Sequence, residues 1–171
     1  RKITEYREHL LPRDRQPEAD AGVDLRTLDL EPEDLEAIDR VRQLPSVGER
    51  DEKTGLSESQ IRALPVPVKI KLTRGAGRTL RNILIKDTNQ SVALSVVNNA
   101  AMSDEEIAMV ASSRSVIEEV LAVIYRRREW VAKYKICLAL TKNPRIPVGV
   151  AVKLLPKLGV RDLRMLSKDR N

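Results

Sequence analysis

The stretch SDEEIAMVASSRSVIEEVLAVI, residues 103–124, decides the fold class. Ser103-Asp-Glu-Glu106 and Ser115-Val-Ile-Glu118 each have the form of a capping box, a hydroxyl and a carboxylate three residues apart that satisfy the N–H groups of a helix start. Behind the first come Ile107, Val110 and Ala111; behind the second come Val116, Val120, Leu121 and Ile124. Apolar residues at that spacing line one face of a helix. Two short amphipathic helices are therefore expected, of about three turns each.

Working outward, the capping form recurs at Ser57-Glu-Ser-Gln60 and, more loosely, at Asp87-Thr-Asn-Gln90. Trp130, Tyr134, Cys137, Leu138 and Thr141 line a further face, read as core. Val148, Val152 and Leu155 line the next, and Val160, Leu163 and Leu166 a last one. Helix starts are expected near 91, 103, 115, 128, 147 and 160. Val-Lys-Ile-Lys-Leu (68–72) alternates as a strand does, but it sits among helices, and the reading is all-α. Helices this short cannot each bury a face alone, so neighbours must stack. An offset of 44 superposes Leu94 on Leu138, Asn99 on Asn143 and Val116 on Val160, as a structural repeat would.

Composition excludes much. The 171 residues include one histidine, His9, and one cysteine, Cys137, too few for a tetrahedral zinc site or a disulfide framework. A nucleophile–histidine enzyme would depend on His9, in a polar terminal segment. Aromatic residues make up 2 %, and there is no Phe, so base-stacking platforms are not expected. No segment reaches the roughly 18 consecutive apolar residues of a membrane span. The chain opens on Arg1 rather than Met, as a fragment or a processed product does. A single unpaired Cys fits a reducing compartment, and a cytoplasmic location is expected.

Charge divides the chain. Residues 1–61 hold 10 Lys/Arg and 16 Asp/Glu, and residues 62–171 hold 21 and 9, giving −6 and +12. The first part, with its runs LPRDRQPEADAG and PSVGERDEKTG, reads as an acidic and largely disordered arm. Within it, residues 29–42 read as a short docking helix, with Leu35, Ile38 and Val41 at helical spacing and Pro32 in the first turn. Residues 62–171 read as a basic helical-repeat domain. Charges of opposite sign on one chain attract, and the linker from Pro45 to Gly55 is long enough for the arm to fold back on the body.

The stretch Lys142-Asn-Pro-Arg-Ile-Pro147, an Asn-Pro-x-x-Pro turn between short helices, resembles the bacterial HEAT-like and leucine-rich-repeat-variant proteins. The likeness covers about residues 64–171. The corresponding turn Asn98-Asn-Ala-Ala-Met-Ser103 lacks both prolines. The resemblance implies a short α-solenoid of stacked helix pairs whose work is binding, and it carries over no catalytic residue.

Few constellations point to chemistry. Asp104, Glu105 and Glu106, and Glu118 with Glu119, lie in helix first turns, where capping and the helix dipole account for them. Gly75-Ala-Gly77 between Arg74 and Arg78 lacks the remaining residues of a phosphate loop and fits a helix–helix turn. Cys137 reads as a small core residue. No catalytic, cofactor-binding or metal-ligating residue is expected. The strongest local signal is Tyr125-Arg-Arg-Arg-Glu-Trp130 with Lys133, Tyr134 and Lys135. Guanidinium groups suit carboxylates and phosphates through paired bonds. Arg126, Arg127, Arg128, Lys133 and Lys135, with Arg74 and Arg78, are therefore the expected anionic-partner surface. The expected function is a non-catalytic scaffold or adaptor that recognises an acidic protein; the alternative is phosphate-backbone contact with nucleic acid.

Overall fold

Capping chemistry places the helices. The computed structural model describes residues 28–99 and 101–168, and there the chain forms eleven α-helices. They are α1 (Pro32–Arg42), α2 (Glu58–Ala63), α3 (Val66–Thr73), α4 (Arg78–Leu84), α5 (Gln90–Asn99), α6 (Asp104–Ser112), α7 (Glu118–Arg126), α8 (Arg128–Val131), α9 (Tyr134–Lys142), α10 (Val148–Leu154) and α11 (Val160–Leu166). A 3-10 turn, Leu155–Lys157, follows α10. The all-helical expectation holds for these residues. The capping boxes at Ser57 and Ser103 form as read, with Gln60 and Glu106 reaching back to the N–H of each cap. Two others do not. α7 starts only at Glu118, so Ser115 caps nothing, and its N–H donates to Ser113 Oγ. At the head of α5 the acceptor is Asn89 Oδ1, which takes the N–H groups of Ser91 and Val92, in place of Asp87.

Helices two apart pack together: α2 on α4, α3 on α5 and α5 on α7. α6 packs on α9 across the short α8, and α9 packs on α10. One apolar core runs through all of them, with Leu56, Ile61, Leu84, Ile85, Ile107, Leu121, Ile124, Ile136 and Leu140 almost wholly shielded. Residues 68–72, strand-like in alternation, form the body of α3 because both sides of the segment are occupied. Val68 and Leu72 face the core, and Lys69 is also buried, its ammonium 2.8 Å from Asp87 Oδ2 and 2.8 Å from the Arg62 carbonyl. A second buried pair joins α4 to α6: Arg81 Nε and Nη2 donate to Glu106 Oε1 at 3.0 and 2.7 Å, and Nη1 donates to the Ala76 carbonyl at 2.7 Å. A buried ion needs such saturation, because desolvation offsets most of the Coulombic gain.

A turn repeats along one edge. Asp87, Ser113 and Asn143 each directly follow a helix or its last turn. Each donates its N–H to the carbonyl three residues back and accepts, through its side chain, the N–H two residues on. The spacings are 26 residues from Asp87 to Ser113 and 30 from Ser113 to Asn143, where the sequence offset was 44. Three of the four extra residues fall in the connector 127–133, which contains α8, against 100–103 in the preceding unit. Asn143 also ties α9 to the end of α6, donating through Nδ2 to the Ala111 carbonyl at 2.7 Å and the Ser113 carbonyl at 3.0 Å.

The acidic N-terminal part is more integrated than its composition implies. Of the arm, residues 1–27 lie outside the described residues. α1 docks on α2 with Ile38 and Val41 buried, as the helical spacing foretells, whereas Leu35 faces outward at 45 % exposure. Asp34 accepts from Lys71 Nζ at 2.5 Å. That bond holds the Asp34 carboxyl below its ordinary range and raises the Lys71 ammonium. The Pro45–Gly55 stretch, read as a linker, is mostly exposed but tied down near its end: Asp51 and Thr54 are buried, Asp51 Oδ2 accepts from both the N–H and the hydroxyl of Thr54, and the backbone of Arg50 pairs with that of Ser57 in an isolated antiparallel bridge. Gly55 closes this turn at φ 69°, a conformation open to glycine at little steric cost. The division drawn after residue 61 from charge alone cuts through α2, whose Ile61 is core.

Candidate functional site

The ends of α3, α5 and α7 lie side by side. Asn99 Nδ2 at the end of α5 reaches Thr73 Oγ1 of α3 at 3.5 Å, and Arg127, just past α7, donates from Nη2 to Asn98 Oδ1 at 3.1 Å. The starts of α4, α6 and α9 sit on the same edge, where Lys133 Nζ lies 3.0 Å from Asp104 Oδ2 across α9 and α6. This edge gathers the sequence-derived cations that are far apart in the chain. Arg74 follows α3 and Arg78 opens α4. Arg126 ends α7, Arg128 opens α8, and Lys135 lies in the first turn of α9.

These residues are not equivalent. Arg127 is half-buried, its guanidinium stacked 4.3 Å from the centre of the Trp130 ring, so it is spent on holding the junction together. Lys133 is engaged with Asp104. Arg74, Arg78, Arg126, Arg128 and Lys135 are exposed and make no ion pair among the described residues. The pattern extends beyond the edge. Residues 113–168 carry 13 Lys/Arg against four Asp/Glu, and of those 13 cations only Lys133 takes part in a salt bridge.

Other sequence-derived candidates find structural places. The Gly75-Ala-Gly77 segment is the α3–α4 turn; its Ala76 is buried, and the Ala76 carbonyl is taken by Arg81. Cys137 is buried beneath the Leu154 carbonyl, and that burial pushes its thiol up, away from the nucleophilic thiolate. Trp130 packs against the core at its margin. Tyr134, read as core, is 45 % exposed because α9 begins at that residue and turns the ring outward. Its hydroxyl donates to Asp162 and accepts from the Gly159 N–H at 3.1 Å, which fastens α11 to α9 and raises the phenol above its ordinary value.

Sequence reasoning assigned Glu106 to capping alone and missed its pairing with Arg81, 25 positions away. It also missed a groove of about 340 Å³ between α7 and α10. Ala122, Tyr125, Ile146 and Val150 floor this groove, with Glu118, Glu119 and Arg126 also lining it. Among the described residues no group of three or more His, Cys, Asp or Glu side chains could hold a metal ion, and no helix is long and apolar enough to cross a membrane. Comparison with family models, curated proteins and solved structures finds no match.

Proposed function

We propose that the protein is a non-catalytic binding module, a short α-solenoid of the HEAT-like kind, whose basic edge recognises an acidic protein partner. The packing of helices two apart and the recurrence of one turn chemistry at Asp87, Ser113 and Asn143 support the solenoid reading. The single observation that carries the binding reading is the set of exposed cations left without an internal partner. Arg126 and Arg128 flank Arg127, whose stacking on Trp130 fixes the backbone between them. Side chains that spend nothing on the fold keep their full hydrogen-bonding capacity for a carboxylate. Phosphates offer the same charge, so nucleic acid is the rival partner.

The test is a titration of the full chain against a fluorescent Glu/Asp-rich peptide, a random-sequence DNA duplex and an RNA strand across a salt series. Peptide binding that survives near physiological salt and falls at least tenfold in Arg126→Glu/Arg128→Glu supports the reading. Nucleic-acid binding that persists there, with a salt slope of several phosphates, transfers the edge to the rival. Binding to none of the three overturns both.

A further inference from the structure

Among the described residues nine large apolar side chains are exposed, and seven of them lie at the two ends of the helix array. Leu35 lies on α1, and Leu44 and Val47 lie just past its end; Val148, Val152, Val160 and Met165 lie on α10 and α11. Only Met109 and Tyr134 fall between. Both ends have the composition of incompletely covered surface. α11 contributes no buried side chain at all, and α10 contributes only Leu154.

The two ends are charged oppositely. Residues 28–47 carry six Asp/Glu and two Lys/Arg, a balance of −4, whereas residues 148–168 carry five Lys/Arg and one Asp, a balance of +4. The inner face of α1 is already committed to the body through Ile38 and Val41, which leaves Glu33, Leu35, Glu36 and Asp39 facing outward. We propose that the acidic α1 end of one copy docks on the basic α10–α11 end of the next, a head-to-tail contact with an apolar centre and complementary charge around it. A symmetric pairing of α1 with α1, or of α11 with α11, would set like charges against each other. The heterologous contact avoids this, and it propagates instead of closing at two copies. This interface uses none of Arg126, Arg128 or Lys135, so it stands or falls separately from the basic edge.

Sedimentation of the full chain from micromolar to millimolar concentration, at low and at high salt, tests the contact. The expected result is a mass that rises with concentration past the dimer and falls on adding salt. Leu35→Arg spoils the head and Val152→Asp spoils the tail; both positions are exposed, and circular dichroism checks that each variant keeps its helix content. Each variant alone should stay monomeric. An equimolar mixture should form a dimer and nothing larger, because one good head meets one good tail. A monomer throughout overturns the proposal. So does a mass that stops at two copies in the parent chain, growth that strengthens with salt, or a mixture that fails to pair.

Discussion

Residues 28–112 and residues 113–168 use charge in opposite ways. The first region holds 11 Lys/Arg, and five of them, Arg42, Arg62, Lys69, Lys71 and Arg81, sit in salt bridges, two of these bridges buried. A neutral amide, Asn143, ties α9 of the second region to the end of α6, where the first region uses Lys69 and Asp87, and the cations of the second region other than Arg127 are exposed. One half therefore spends its charge on internal order, and the other keeps it for the solvent side. Removing a buried charge should destabilise the first region more than removing an exposed cation destabilises the second.

The largest effect is expected from Glu106→Ala, which strands the Arg81 guanidinium in the core. A loss of about 3–5 kcal/mol in a urea melt is the expected cost of breaking a buried pair. A loss under about 1 kcal/mol would mean that the first region does not depend on its charges. Leu121→Ala, in the second region, should cost about 2–5 kcal/mol as an ordinary core cavity. A similar figure on the two sides of residue 112 would show equal stability reached by different means. Asn143→Ala leaves two carbonyls short of a donor and should cost about 1–3 kcal/mol, with no dependence on salt or pH. Salt sensitivity there would undo the contrast with Lys69 and Asp87.

The smallest effects are confined to the two ends and have opposite pH signs. The Asp34 carboxyl is depressed by Lys71, so the contribution of this pair is present above the ordinary Asp range and is lost as pH falls through the lowered value. The Tyr134 phenol is raised by Asp162, so its contribution is present below the ordinary Tyr range and is lost as pH rises through the raised value. Amide exchange, corrected for intrinsic rate, should therefore loosen α1 first in acid and α11 first in alkali. The same end loosening first under both conditions would contradict the assignment.

Legibility in the sequence tracks the range of the interaction that fixes each feature. The caps at Ser57 and Ser103 act over three residues, and both were readable. So were the burial of Cys137 and of Ile38 and Val41 on α1, which follow the helical period. Some failures were local: Ser115 and Asp87 do not cap as read, and Leu35 and Tyr134 face outward beside the buried residues of their own helices. The others were long-range. Lys69 looked like the polar side of an alternating segment because Asp87, which makes its burial tolerable, is 18 residues away. Arg81 and Glu106 are 25 apart. The Pro45–Gly55 stretch carries the composition of a free linker, yet Asp51 and Thr54 supply its hydrogen bonds from within. The cationic edge was found residue by residue, but its assembly from three helix ends was not, because Asn98 and Asn99 give no sign of bridging.

The unequal spacing of the repeated turn has an evolutionary consequence. A scaffold pinned at Ser113 and Asn143 takes up extra chain between those pins without shifting the register of the helices beyond them. The added length emerges at the connector that bears Arg127, Arg128 and Trp130. Insertions and deletions there that spare Arg127, Trp130 and the buried Val131 change which residues the connector exposes and leave both pins in place, so the exposed chemistry of this edge can vary more freely than the packing beneath it.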